Sequence, residues 1–143
     1  MKSIKDKIFS LMAWPTRIVI FGFIIYYFYA TLYPFKVMEI VGTPQILGEV
    51  LKAGDDLCYE VNYKKYIPVG GTMYNELVDT VIYNLKETKS NANVGEGSKI
   101  ICVGHVPKVP SGKYYLRVKA VYQVNMYRTI EIVYQTNEFE IND

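Results

Sequence analysis

Hydrophobic positions along this chain change their period once. From Ile18 to Tyr33 they are continuous, Ile-Val-Ile-Phe-Gly-Phe-Ile-Ile-Tyr-Tyr-Phe-Tyr-Ala-Thr-Leu-Tyr, with no ionisable side chain except tyrosine. After residue 36 they fall mostly at every second position. The continuous run predicts a membrane-spanning helix. At about 1.5 Å per residue it covers roughly 24 Å, slightly short of a hydrocarbon core of about 30 Å. Phe35 extends it on one side; Ala13, Trp14 and a snorkelling Arg17 extend it on the other. The spanning helix is therefore expected over residues 17–34, after a basic cytoplasmic or interfacial segment, 1–16. Ile4, Ile8, Leu11 and Met12 share one helical face. Residues 4–12 thus read either as a short interfacial helix broken at Pro15 or as a tail whose lysines set topology.

The alternating part, 35–143, predicts strands. Tyr114, Leu116, Val118, Ala120, Tyr122 and Val124 fall on one face of Lys113–Asn125, with Tyr115, Arg117, Lys119, Val121 and Gln123 on the other. Such a strand has one side on a core and one in water. Thr129–Gln135 repeats the pattern with Ile130, Ile132 and Tyr134 inward, and a last short strand turns Phe139 and Ile141 inward. Upstream, Leu57, Tyr59, Val61 and Tyr63 alternate with Cys58, Glu60, Asn62 and Lys64. Further strands are expected over Leu77–Leu85, Ser98–Val103 and Val37–Val41, with Gln45–Leu51 as an edge strand or loop. Gly42-Thr-Pro, Ala53-Gly-Asp-Asp, Pro68-Val-Gly-Gly, the run 91–97 and Pro107–Gly112 mark turns. About seven short strands so punctuated predict one antiparallel β-sandwich, and the fold class is mainly β behind a single helix.

Charge orients the helix. Lys2, Lys5, Lys7 and Arg17 precede it against Asp6 alone, whereas the remainder carries twelve Lys/Arg and thirteen Asp/Glu. Positive residues stay on the cytoplasmic side, so the N-terminus is expected inside and the β domain outside. Trp14 marks the inner interface; Tyr26, Tyr27, Tyr29 and Tyr33 crowd the outer half, deep enough to face another helix. Small residues at cleavage positions are missing, because a cut after Ala30 leaves Phe28 at the third position before it. An uncleaved signal anchor is favoured over a removed signal peptide. The expected location is a bacterial inner membrane with a periplasmic domain, or a virion membrane.

The stretch Val106-Pro-Lys-Val-Pro-Ser-Gly-Lys-Tyr-Tyr-Leu-Arg-Val resembles the turn and following strand of immunoglobulin-like and fibronectin-like modules, with Tyr114 matching their corner aromatic. Four stretches (Tyr59-Glu-Val-Asn-Tyr-Lys-Lys-Tyr, Val81-Ile-Tyr-Asn-Leu, Pro110-Ser-Gly-Lys-Tyr-Tyr-Leu and Tyr122-Gln-Val-Asn-Met-Tyr-Arg-Thr-Ile) are similar to small membrane-anchored proteins of tailed bacteriophages. The resemblance implies an immunoglobulin-like fold and a viral origin, and carries no catalytic residue.

Little in the chain supports catalysis. His105 is the sole histidine and sits beside Gly104 at a strand end. Ser90, Ser98 and Ser111 lie in turns without a nucleophile elbow. Glu76 and Asp79, three apart, would face opposite ways on a strand. No enzyme activity, metal or cofactor is expected. Cys58 and Cys102 lie on separate strands, the second one strand too early for the inter-sheet bridge of antibody domains, so two unpaired, partly buried thiols are expected.

Two places could bind. One is Lys64-Lys65-Tyr66 with the flexible 69–72 loop. The other is the hairpin tip Asn125-Met126-Tyr127-Arg128, either a contact site or, as the favoured reading, a lid on the open end of the sandwich. Tyr115, on the outward face with Arg117 and Lys119, reads either as part of a binding surface or simply as a good strand former. A near-neutral domain argues against nucleic acid. The expectation is a single-pass binding or scaffolding protein whose partners are the lipid bilayer and another protein or a second copy. The alternative is a membrane-active phage lysis or exclusion factor.

Overall fold

The computed structural model describes residues 4–33 and 36–142, with side chains in the helix from Trp14 onward. The chain forms two units, 1–35 and 36–143.

The first unit is one helix, α1 (Ile4–Leu32), with Pro15 inside it. The break at Pro15 that one of the two readings of residues 4–12 requires does not occur. A proline costs the helix one hydrogen bond and a clash with the carbonyl four residues back, and α1 continues through it. The side chains of residues 4–13, and hence the proposed interfacial face, lie outside the described residues. Trp14–Leu32 forms a 19-residue stretch long and apolar enough to cross a membrane. Trp14 and Tyr26, Tyr27, Tyr29 and Tyr33 all project from it, and Tyr29 stacks on Tyr33 at 5.2 Å.

The second unit is two packed β-sheets. Its strands are β1 (Met38–Ile46), β2 (Val50–Lys52), β3 (Asp56–Lys65), β4 (Gly71–Val78), β5 (Ile82–Asn84), β6 (Thr88–Ser90), β7 (Gly95–His105), β8 (Gly112–Asn125), β9 (Arg128–Gln135) and β10 (Phe139–Asn142). The small sheet runs β1-β3-β7; the large sheet runs β2-β10-β8-β4-β5, with β6 also on β4 and β9 also on β8. The sequence pattern predicts fewer strands because two lanes are split. β5 and β6 share one edge of β4, and β9 and β10 share one edge of β8. The expected strand Leu77–Leu85 is in fact the end of β4, a turn, and β5 pairing back on it. The sheets are not wholly antiparallel either, since β2 lies parallel to β10. Gly42-Thr-Pro is a bulge within β1 rather than a terminating turn, with Gly42 at φ 73°, where glycine carries no steric cost.

Alternation in β3 and β8 fills the space between the sheets. Leu57, Tyr59, Val61 and Tyr63 from β3 meet Tyr114, Leu116, Val118, Ala120 and Tyr122 from β8, all buried. Burial of a tyrosine is favourable only where its hydroxyl keeps a partner, and each of the three most buried has one. Tyr59 shares a hydrogen bond with Tyr134 across the sheets at 2.9 Å. Tyr122 meets Ser90 at 3.0 Å, and Tyr114 donates to the Pro110 carbonyl at 2.7 Å. Burial raises the Tyr134 hydroxyl to about 12 and lifts Tyr59 and Tyr122 above the ordinary phenol range. Gly71 is required where it stands: a Cβ there would lie 2.6 Å from the Tyr122 ring and 2.8 Å from the Val121 carbonyl oxygen. The expected flexible 69–72 loop therefore ends at Gly70, and Gly71-Thr72 opens β4.

Candidate binding surfaces

Three surfaces of the β domain carry side chains beyond what the core needs. The first is the outer face of β3 and β7, which are neighbours in the small sheet. Their pairing sets Cys58 opposite Cys102, and the two form a disulfide across adjacent strands. This corrects the expectation of free thiols. The outward direction of Cys58, alongside Glu60 and Asn62, is as read from its alternation. What sequence spacing does not carry is that β7, four strands later, returns to lie against β3. Nearby His105 Nδ1 contacts Asp56 Oδ1 at 3.0 Å, and both side chains are exposed. Among the described residues no group of three or more His, Cys, Asp and Glu is placed to hold a metal.

The second surface is the outer face of the large sheet. Alternation turns Thr72, Tyr74 and Glu76 of β4 outward beside Tyr115, Arg117, Lys119 and Val121 of β8. Two adjoining depressions of about 510 and 350 Å³ share Tyr74 and Val121 and so form one shallow groove. Tyr74, 41% exposed, lies in it. One wall is the β5–β6 connection, with Asn84 and Glu87; the other is Thr129 and Glu131 of β9. Buried Asn75 holds that connection in place, donating to the Lys86 carbonyl at 2.8 Å and to Thr88 Oγ1 at 3.1 Å. Two ion pairs line the face: Arg117–Glu76 at 2.6 Å and Lys119–Glu131 at 2.9 Å. Tyr74 was legible as a site residue only once Gly71–Val78 is known to be a strand.

The third surface is the end of the domain where the chain arrives at Lys36, called here the near end. Met38, Lys65 and Gly95 are register partners there, and Lys65 Nζ donates to the Ala92 carbonyl at 2.7 Å. Tyr122 reaches Met38 Sδ at 3.7 Å, which puts the β8–β9 hairpin at this same end. Lys64 pairs with Glu96 at 2.7 Å. The Tyr66 hydroxyl donates to Glu39 at 3.0 Å, beside the Lys36–Glu39 pair at 2.8 Å. Those donors, Lys36 foremost, hold the Glu39 carboxyl below the usual range. Lys65, expected at a binding surface, is instead 4% exposed and its ammonium is pulled down by burial. The hairpin tip also departs from the favoured reading. Met126 is 78% and Tyr127 57% exposed, so they do not lid the core. Lys64, Tyr66, Met126, Tyr127 and Arg128 thus gather at one end, whereas Tyr115 pairs with Val78 at the other.

No protein-family model and no curated protein matches the chain. Among solved structures, the β domain has a weak likeness to part of a beta-glucosidase from Listeria innocua solved with glucose. Sequence identity is 15%, the TM-score is 0.40, and the match covers 74% of this chain and 16% of that one. The apolar N-terminal helix is of a kind used as an anchor or a signal sequence, and with the disulfide it points to a secreted or membrane-anchored domain.

Proposed function

We propose that this protein is a single-pass, membrane-anchored binding module that presents an immunoglobulin-like β-sandwich outside the cytoplasm. The Tyr114 hydroxyl bonded to a carbonyl four residues upstream supports the immunoglobulin-like reading, because that arrangement fixes the corner of such sandwiches. The disulfide differs from theirs, joining neighbours in one sheet. A domain oxidised in this way belongs on the exported side of a membrane, in keeping with the basic N-terminal flank.

The observation that carries the binding role is the groove on the large sheet. A half-exposed aromatic ring, flanked by amide, carboxylate and ammonium groups on rigid strands, has the make-up of a contact surface. The partner is another protein or a second copy of the chain. The test is to replace Tyr74 by a photo-crosslinking residue in the full-length protein in its native membrane. A discrete adduct lost on Lys119→Glu substitution is expected; absence of any adduct at position 74 sinks the groove as the contact face. Expressing residues 1–36 alone separates this reading from the lysis or exclusion alternative. An inert fragment is expected, and collapse of the membrane potential would move the activity to the helix.

A further inference from the structure

The near end of the β domain carries a feature that binding at the sheet face does not use. β4 begins at Gly71, opposite Tyr122, so β8 beyond that point is paired with β9 alone. Residues 123–129 therefore extend past β4 as a two-stranded ribbon, with Val124 at its base still packed on the core. Three residues of β8 at about 3.4 Å each carry its tip roughly 10 Å past the end of β4. At the tip, Met126 is the most exposed apolar side chain of the β domain, at 78%, and Tyr127 beside it is 57% exposed. Arg128 follows directly. Tyr66 and Val94 are exposed on neighbouring loops of the same end, at 41% and 53%.

Charge is distributed unevenly in the same sense. The segments that make the near end, 36–39, 64–71, 89–96 and 123–129, hold five of the domain's twelve Lys/Arg and two of its thirteen Asp/Glu. The near end is thus cationic on a domain that is otherwise acidic. Chain length adds a third constraint. Four residues separate Leu32, the last of the helix, from Val37, which is fully buried in the β domain. That much chain reaches at most roughly 17 Å when fully extended.

We propose that the near end docks on an anionic bilayer surface, with Met126 and Tyr127 entering the headgroup layer and Arg128 and Lys89 meeting lipid phosphates. The proposal rests on the membrane-anchored reading above and adds to it the occupant of the hairpin tip. A methionine and a tyrosine with a flanking arginine suit that layer, where an apolar body is buried and a polar tip stays wet. The short connection removes most of the entropic cost of the encounter by holding lipid at high local concentration. Docking would also fix which way the groove faces, leaving it free for a partner.

The chain has a single tryptophan, Trp14, which lies in the helix and allows both readings to be tested at once. The full-length protein is reconstituted into phosphatidylcholine–phosphatidylglycerol vesicles with or without acyl-brominated lipid. The native chain reports through Trp14, and a Trp14→Phe, Tyr127→Trp variant reports through the tip. Docking predicts blue-shifted emission from position 127 and about a twofold loss on bromolipid. It also predicts that Arg128→Glu with Lys89→Glu, or pure phosphatidylcholine, returns the emission toward that of a water-exposed indole. If Trp14 is quenched while position 127 remains water-exposed, the anchor stands and the docking proposal is overturned. If position 127 is shielded from iodide only as protein density rises, the tip is a protein contact, which also overturns it. If Trp14 itself is not quenched, the anchored reading fails and takes this one with it.

Discussion

Removal of the Cys58–Cys102 bridge is the most direct perturbation of the β domain. The bond closes a loop with a sequence separation of 44 residues. A chain-entropy treatment assigns a loop of that size about 4 kcal/mol of stabilisation through restriction of the unfolded state. Packing adds little to this figure, because Cys102 is exposed and Cys58 only half-buried, so Cys58→Ser with Cys102→Ser leaves no sizeable cavity. With urea slopes of about 1–3 kcal/mol per molar, the unfolding midpoint should fall by about 1.3–4 M. The assay is urea denaturation of the full-length protein in a mild detergent, followed by circular dichroism in the β region, with and without reductant. Reductant should bring the native chain to the double variant and leave the double variant unchanged. A midpoint shift under about 0.5 M would refute the loop-closure reasoning. Labelling of the unreduced native protein by a thiol reagent would refute the bridge itself.

Alkali should destabilise the domain through its buried tyrosines. Their folded values are raised, so stability is level below the ordinary phenol value of about 10. It then falls by about 1.4 kcal/mol per pH unit for each tyrosine kept neutral, until the folded group titrates. For Tyr134 that limit is about 12; urea midpoints across this interval, with phenolate absorbance alongside, measure it. Tyr134→Phe removes the partner of Tyr59 and should cost about 1–3 kcal/mol at neutral pH, measured by the same unfolding curve. Gly71→Ala places a methyl against the Tyr122 ring and should cost about 1–3 kcal/mol, with Gly70→Ala as the mild control, since a Cβ there meets only a carbonyl oxygen at 3.9 Å.

The parts of this structure visible in the sequence are those set by local alternation. β8 is fourteen residues long and β3 ten, and both bury the side chains that the pattern assigns inward except Val124, which is half-buried near the end of β8. The helix was legible because a long run without charge has few other uses. What escaped depends on which strands become neighbours. Cys58 and Cys102 meet because β7 pairs with β3, and Gly71 is required because Tyr122 crosses it. Neither fact leaves a trace in spacing. Gly70-Gly71 reads as a loop on composition, and that reading hid Tyr74, whose outward place follows only from the strand that Gly71 opens. Met126 and Tyr127 failed for another reason: apolar character predicts burial on average, and an exposed apolar tip departs from the average.

The register of β1 on β3 has a mechanical consequence. β1 is the strand through which any pull from the N-terminal side enters the domain, and it runs antiparallel along β3 from Met38↔Lys65 to Ile46↔Tyr59. A force along that strand, resisted by a partner held on the large sheet, loads these hydrogen bonds side by side in shear rather than peeling them apart in sequence. β3 in turn is riveted covalently to β7. The small sheet therefore meets the tension first, in shear and with a covalent cross-link, before the load passes through the core to the large sheet and the partner it holds.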